Sequence, residues 1–442
     1  MWQDRRVRGV PDPYLPGHGD TRYAVEHYDL ALDYRLATNR LDAVATLTVR
    51  ALADLDAVRL DLSGLHVDKV KVDGAKPKKY AHKDRVLTVT LAKRLAAGAT
   101  CSIQVAYSGK PAPVPGAHGA AGWEELTDGV LVASQPYGAP SFYPCNDRAD
   151  DRATYRISLT TEAEYTAVAT GRLVASSTRA GRTTAVFVED APTSPYLVSV
   201  VVGRLVDQPL PGSGGRVTVV RPRTRAVAAP SPFMRLPAML DALETWFGPY
   251  PFATYRAVVV DERLEIPLEA QGMASFGTNH LADAWDNERL VVHELAHQWF
   301  GNTVTAGLLK DIWLHEGFAC YTEWLWSEHR GLATADERAR AHWKVLPTQK
   351  QPTPLSDPGM AHMFDDWVYK RGALTLHALR TAVGDDAFFA LCRDWVASHG
   401  IVSTGTFVDH VNRSTGTDLS PLFTAWLDSV HLPPCPQLPR TG

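Results

Sequence analysis

The amino-acid sequence predicts an α+β multidomain fold: an N-terminal antiparallel β-sandwich-like domain over residues 1–208, then a mixed α/β domain over residues 209–442 that ends in helices. Three features point there. Short segments before about residue 208 alternate apolar and polar residues with period two. Beyond it, two strand-like segments give way to longer apolar patterns of helical period. One of those helices carries LVVHELAHQWFGN, with His293, Glu294 and His297 in a spacing that metal sites use. At 442 residues the length allows about three domains and ample core.

The alternation is clearest at Tyr28, Leu30, Leu32 and Tyr34, at Ala43, Ala45, Leu47 and Val49, and at Cys101, Ile103, Val105 and Tyr107. Side chains two apart share one face of a strand, so each run offers an apolar face to a core and a polar face to water. Gly64, Asp73-Gly74 and Ser108-Gly109 punctuate the runs with turn residues, as a sandwich requires. The stretch PLPGSGG at 209–215 reads as the domain boundary. After it come strands near 256–261 and 272–276, then the helix of the His-Glu-His triplet, with Asn287 as N-cap and Glu288 complementing its dipole. Later helices are expected over 370–383, closed by Gly384, and over 386–398.

Residues four apart on a helix stand one turn above each other, so His293 and His297 can aim both imidazoles at one ion. Glu316, separated from His297 by eighteen residues in the segment DIWLHEGFA, supplies a third ligand. Three protein ligands leave the fourth tetrahedral position of Zn2+ open to water, which distinguishes a catalytic site from a closed structural one. Glu294 is then placed to take that water's proton. Leu290, Val291, Leu295, Trp299 and Phe300 make the helix otherwise apolar, a costly place for His-Glu-His without a partner. One Zn2+ per chain is the expected cofactor.

HELAHQWFGNTVT, WLHEGFACYTE and the later VYKRGA resemble the signature blocks of the gluzincin zinc aminopeptidases typified by aminopeptidase N and leukotriene hydrolase. IPLEAQGMASFG resembles the family's exopeptidase block, usually GxMEN, with Leu268 and Glu269 in the Met-Glu positions and Glu269 lying 24 residues before His293. Ile266, Pro267 and Ala270 depart from that pattern, and His315 stands where the family usually has Asn. In the first half, SQPYGAPSFYPCND is similar to the segment around the family's Pro-Cys-x-Asp, with Pro144, Cys145 and Asp147 in register.

The resemblance implies a thermolysin-like catalytic domain, no C-terminal helical superhelix domain, and removal of single residues from peptide N-termini. It makes Tyr369 the phenol that hydrogen-bonds the tetrahedral intermediate, Glu269 the countercharge of the substrate ammonium, and Gln135 its partner in an acceptor pair. Gly272, Met273 and Ala274 are expected to lend backbone groups to a substrate strand. Glu323, seven residues after Glu316 and on the same helical face, is placed either to orient a ligand or to pair with a surface cation. Peptides with a free N-terminus are the implied partners. A zinc endopeptidase, or a catalytically inactive binding protein with the same fold, are the alternatives.

Hydrophobic residues at 45%, charged residues at 21% and a net charge of −4 describe an ordinary globular chain with no cationic excess for nucleic acid. Arg5-Arg6-Val7-Arg8 is not followed by an apolar run, so it reads as a solvated arm and not a signal peptide. The longest apolar stretches, such as 196–202, are far too short to span a bilayer, and no membrane partner is expected. Cys101, Cys145, Cys320, Cys392 and Cys435 are widely spaced, which argues against a disulfide framework and for a reduced, cytoplasmic setting. Cys145 reads as a small buried hydrophobe. Composition leaves the oligomeric state open.

Overall fold

Residues 9–437 are described in the computed structural model of the chain, so the Arg5-Arg6-Val7-Arg8 arm lies outside the described residues. They form two compact units: Gly9–Val227 with Phe252–Asn279, and Ala228–Pro251 with the chain from His280 onward.

The first unit is built of strands, beginning with β1 (Tyr23–Arg35), β2 (Arg40–Ala51), β3 (Leu55–Asp61), β4 (His66–Val72), β5 (Lys79–Lys83), β6 (Val86–Leu95), β7 (Thr100–Gly109), β8 (Val114–Gly116), β9 (Gly119–Leu126) and β10 (Gly129–Ala133). There follow β11 (Ala153–Glu162), β12 (Thr166–Ala169), β13 (Arg172–Arg179), β14 (Arg182–Thr193), β15 (Val200–Gly203), β16 (Leu205–Pro209), β17 (Val217–Pro222), β18 (Tyr255–Val259), β19 (Leu268–Ala270) and β20 (Met273–Phe276). Seven strands make one sheet in the order β13-β14-β11-β1-β2-β7-β4, antiparallel except for the parallel pair β1 and β11. Two smaller antiparallel sheets run β3-β6-β5 and β12-β15-β10-β9-β8. The period-two residues Tyr28, Leu30, Leu32, Leu47, Ile103 and Val105 are buried in one core with Leu60 and Val89 of the three-stranded sheet. Apolar faces of different sheets thus cover each other, which is the logic of a sandwich.

The remaining five strands form a mixed sheet, β16-β17-β18-β20-β19. The break expected between 208 and 209 falls inside its first hairpin: Leu205 pairs with Pro222 and Pro209 with Thr218, and PLPGSGG forms part of the connecting loop. This sheet also shares an apolar cluster with earlier strands, joining Leu131, Val168 and Val201 to Val220, Val258 and Met273. A Gly- and Pro-rich loop inside a hairpin has the same composition as a linker between domains.

The second unit is helical: α1 (Leu236–Phe247), α2 (Trp285–Ala296), α3 (Trp313–His329), α4 (Ala335–Val345), α5 (Asp366–Val383), α6 (Asp385–Ser398), α7 (Thr404–Thr415) and α8 (Ser420–Phe423), with short strands β21 (Thr305–Ala306) and β22 (Ile401–Val402). The expected helices appear as α5 and α6, and Gly384 at φ 83° ends the first. Asn287 is not the cap of α2. Ala284 holds that place, and Asn287 lies in the first turn, its Nδ2 donating to the Ala282 carbonyl at 2.8 Å. Glu288 beside it is buried and accepts from Trp326 Nε1 at 2.9 Å and Arg330 Nε at 3.0 Å. Among the described residues no helix is long and apolar enough to cross a membrane.

Candidate active site

α2 buries Val291, Val292, Leu295 and Ala296 and holds His293 and His297 at 6% and 1% exposure. Each imidazole is fixed through Nδ1. That of His293 lies 2.8 Å from Glu323 Oε1, and that of His297 donates to the Phe300 carbonyl at 3.0 Å. Both Nε2 atoms then face one carboxylate, each 3.5 Å from Glu316 Oε2. Three tetrahedral ligands at about 2.1 Å from a zinc ion stand roughly 3.4 Å apart, so this donor set fits the ion that the sequence implies. All three residues are buried.

Glu316 sits in the first turn of α3, and Tyr369 in the first turn of α5. The two helices cross at Gly317 and Gly372, backbone against backbone. The Tyr369 ring lies 6.0 Å from that of His293, inclined by 23°. His315, in the position where Asn was expected, accepts the Ala306 N–H on Nε2 at 2.7 Å and so ties the start of α3 to β21. Burial lowers its pKa to about 4 and keeps it neutral.

Burial disfavours charge on Glu323, but Lys370, the hydrogen bond with His293 and Arg289 outweigh it and hold its pKa down to about 2. Glu323 makes both kinds of contact, with Arg289 Nη1 3.4 Å from its Oε2 and His293 Nδ1 2.8 Å from its Oε1. Lys370 is buried, with its Nζ 3.4 Å from Cys320 Sγ. On His293 burial again opposes charge, yet Glu316 and Glu323 raise the pKa to about 9. Glu316 is drawn far below the carboxylate range against its own burial, mainly by His297 and His293. These carboxylates build a negative field around the imidazoles, the environment a dication requires. Spacing alone does not single out Arg289, Lys370 or the glycine pair, although Arg289 lies one helical turn before His293 and Lys370 adjoins Tyr369.

In the first unit Gln135 Nε2 donates to Glu269 Oε1 at 2.6 Å, joining two residues far apart in the chain. Glu269 is buried on β19, an edge strand of the five-stranded sheet. Gly272, Met273 and Ala274 do not suit the use expected of them. Gly272, at φ 70°, sits in the tight link between β19 and β20 and its carbonyl accepts the Arg256 N–H at 3.0 Å. Met273 and Ala274 lie on β20, which is paired with β18 on one side and β19 on the other. An interior strand has no backbone groups to lend a peptide; those belong to the edge. All five cysteines are unpaired thiols, and burial, aided by Asp147, pushes the Cys145 thiol well up, as befits an inert core residue.

Residues 24–197 match the peptidase M1 N-terminal domain and residues 235–426 the peptidase family M1 domain. The crystal structure of an M1 zinc metallopeptidase from Deinococcus radiodurans is 32% identical in sequence, with a TM-score of 0.88, and the match covers 97% of this chain and 99% of that one. A mutant M1 zinc metallopeptidase from that organism, solved with a Tyr-Ser-Ala substrate, is 31% identical at the same TM-score of 0.88, over 96% of this chain and 99% of its own. Glutamyl aminopeptidase of Rattus norvegicus is 27% identical over 68% of this chain and 34% of its own length, and the probable aminopeptidase 1 of Sulfurisphaera tokodaii is 24% identical over 92% and 53%. The chain thus spans about a third to a half of the length of these curated relatives. Its two matched domains, and the near-complete overlap with a metallopeptidase of similar length, establish that the chain belongs to peptidase family M1.

Proposed function

We propose that this chain is a monozinc aminopeptidase that removes single residues from the N-termini of peptides. The observation that carries the proposal is the donor set, in which His293 and His297 each stand 3.5 Å from Glu316 with Glu294 on the same helix. A zinc ion bound there would supply Lewis-acid polarisation of the scissile carbonyl and a lowered pKa for water. Glu294, buried on α2, is the general base: it accepts the proton of the attacking water and returns it to the departing amine. Tyr369 donates its phenolic O–H to the oxyanion of the tetrahedral intermediate. Glu323 accepts the His293 Nδ1–H, which directs the Nε2 lone pair toward Glu316 and the metal position.

Restriction to N-termini falls to Glu269, the countercharge for the substrate ammonium. Gln135 donates its Nε2–H to that carboxylate and keeps Oε1 as a second acceptor for the amine. Backbone recognition passes from Gly272, Met273 and Ala274 to the edge strand β19, where an extended peptide can add by strand pairing. The aminopeptidase names of relatives and the tripeptide bound to a structural neighbour support this reading. A cytoplasmic setting is part of the proposal, supported by five unpaired thiols.

Elemental analysis tests the ligand assignment. One zinc per chain is expected in the native protein, and His293→Ala should lose most of the metal and the activity. Stoichiometric zinc in His293→Ala would overturn it.

A further inference from the structure

We propose that the rim of the β unit formed by β4, β5 and their connecting loops docks on an anionic phospholipid surface. The chain as a whole carries 45 Lys and Arg against 49 Asp and Glu, but these charges are not evenly spread. Between His66 and Arg94, nine Lys and Arg stand against three Asp and no Glu, and seven of the chain's twelve lysines lie there. Lys69, Lys76, Lys78, Lys79 and Lys83 are exposed. None of the seven lysines makes an ion pair with any described residue. Several arginines elsewhere are answered by carboxylates, as Arg50 is by Glu26 and Arg204 by Asp128 and Glu164.

The fold places six of these lysines on β4, β5 and the loop between them, while Lys93 lies on β6. β4 is the edge of the seven-stranded sheet and β5 the edge of the three-stranded one, and the Tyr80 hydroxyl on β5 reaches the Asp68 carbonyl on β4 at 3.5 Å. Tight turns hold the charges in place. Asp73 and Gly74, at φ 49° and 77°, close Val72 onto Ala75, and Asp84, at φ 54°, helps to close Lys83 onto Val86. Tyr80 stands among the lysines at 37% exposure, an aromatic with a polar tip of the kind that settles at a headgroup layer.

Lysines on an edge strand also keep other chains from adding to it. Six lysines with no Glu among them build a field as well. Lysine is a compact point charge suited to a diffuse anionic surface, and each one held near such a surface strengthens attachment roughly five-fold. A single strand of nucleic acid calls instead for a basic groove with several stacking aromatics. The neighbouring concavity, on the outer face of the seven-stranded sheet, is lined by Asp33, Asp42 and Asp68 rather than by cations.

The test is co-sedimentation of the full chain with vesicles at low salt. It should sediment with phosphatidylglycerol–phosphatidylcholine vesicles and not with phosphatidylcholine alone, and NaCl at about 0.5 M, where the Debye length is roughly 4 Å, should release it. Replacing Lys76, Lys78, Lys79 and Lys83 by Glu should weaken binding at least about 100-fold, with a Gln set intermediate, while cleavage of a small aminoacyl substrate is unchanged. Failure of the native chain to bind anionic vesicles, or equal binding by the Glu set, overturns the proposal. Tighter, equally lysine-dependent binding to single-stranded DNA would also overturn it, by reassigning the rim to nucleic acid.

Discussion

Gly317 of α3 and Gly372 of α5 meet with no side chain between them: a Cβ on Gly317 would stand 2.9 Å from the Gly372 Cα, and one on Gly372 would stand 2.8 Å from the Gly317 Cα. Glu316 immediately precedes the first glycine and Tyr369 lies about one turn before the second. The separation of the proposed metal ligand from the proposed oxyanion donor is therefore set by a crossing that residues with a Cβ cannot make.

Gly372→Ala should push α5 outward and carry Tyr369 with it. In protein that remains folded, kcat should fall on the order of 10²-fold, the cost of a displacement near about 1 Å, with zinc content and KM little changed. Steady-state kinetics with metal analysis checks this. An unaltered kcat would mean that the crossing does not position Tyr369.

Glu294→Gln should keep its zinc, since Glu294 is outside the ligand set, yet lose about 10²–10⁴-fold in kcat. Tyr369→Phe should also retain metal and fall on the order of 10²-fold or more through lost oxyanion stabilisation. Near-native turnover by either variant would remove its assigned role.

Glu323→Gln should weaken zinc binding by about 10–100-fold, because the charged acceptor that orients His293 is lost while the ligand atoms remain. Competition against a chelator of known affinity measures this without reference to turnover. An unchanged zinc affinity would restrict Glu323 to its pairing with Arg289.

The β unit should carry a pH dependence traceable to Asp151. Burial raises this carboxyl to about 7, only partly offset by hydrogen bonds from Asn146 Nδ2 and the Val25 N–H. Its unfolded value is about 3.9, so between the two the folded chain holds a proton that the unfolded chain has released. The contribution of this site to stability therefore falls by a few kcal/mol as pH rises from about 4 to about 7, and is flat above that. Thermal unfolding followed by circular dichroism should show a smaller drop in Tm across that range in Asp151→Asn than in the native chain; identical slopes would contradict the assignment.

The strands of the first half were legible because a period of two is a local property, and Tyr28, Leu30 and Leu32 are buried where that period places them. The pairing of His293 with His297 was legible for the same reason, the two lying one turn apart at the end of α2, whereas Glu316 comes from α3. What escaped depends on pairing between distant segments. β20 is interior because β18 and β19 flank it, a relation that the residues 272–274 do not themselves encode. PLPGSGG looks like a linker until β16 and β17 are seen to pair across it. The cations around Glu323 come from α2 and α5, and the glycine crossing from α3 and α5, so neither shows in the periodicity of one helix. The lysine rim was masked by a whole-chain charge of −4.

The central claim, that this is an aminopeptidase, is met most directly by one paired measurement: kcat/KM on a tripeptide amide with a free N-terminus and on its acetylated twin, in the native enzyme and in Glu269→Ala. Acetylation should cost the native enzyme most of its activity. Glu269→Ala should lose about 2–5 kcal/mol in kcat/KM on the free peptide, and acetylation should then cost far less, because the partner of the ammonium is already gone. Equal cleavage of both peptides by the native enzyme would contradict the aminopeptidase assignment and leave a zinc endopeptidase in its place.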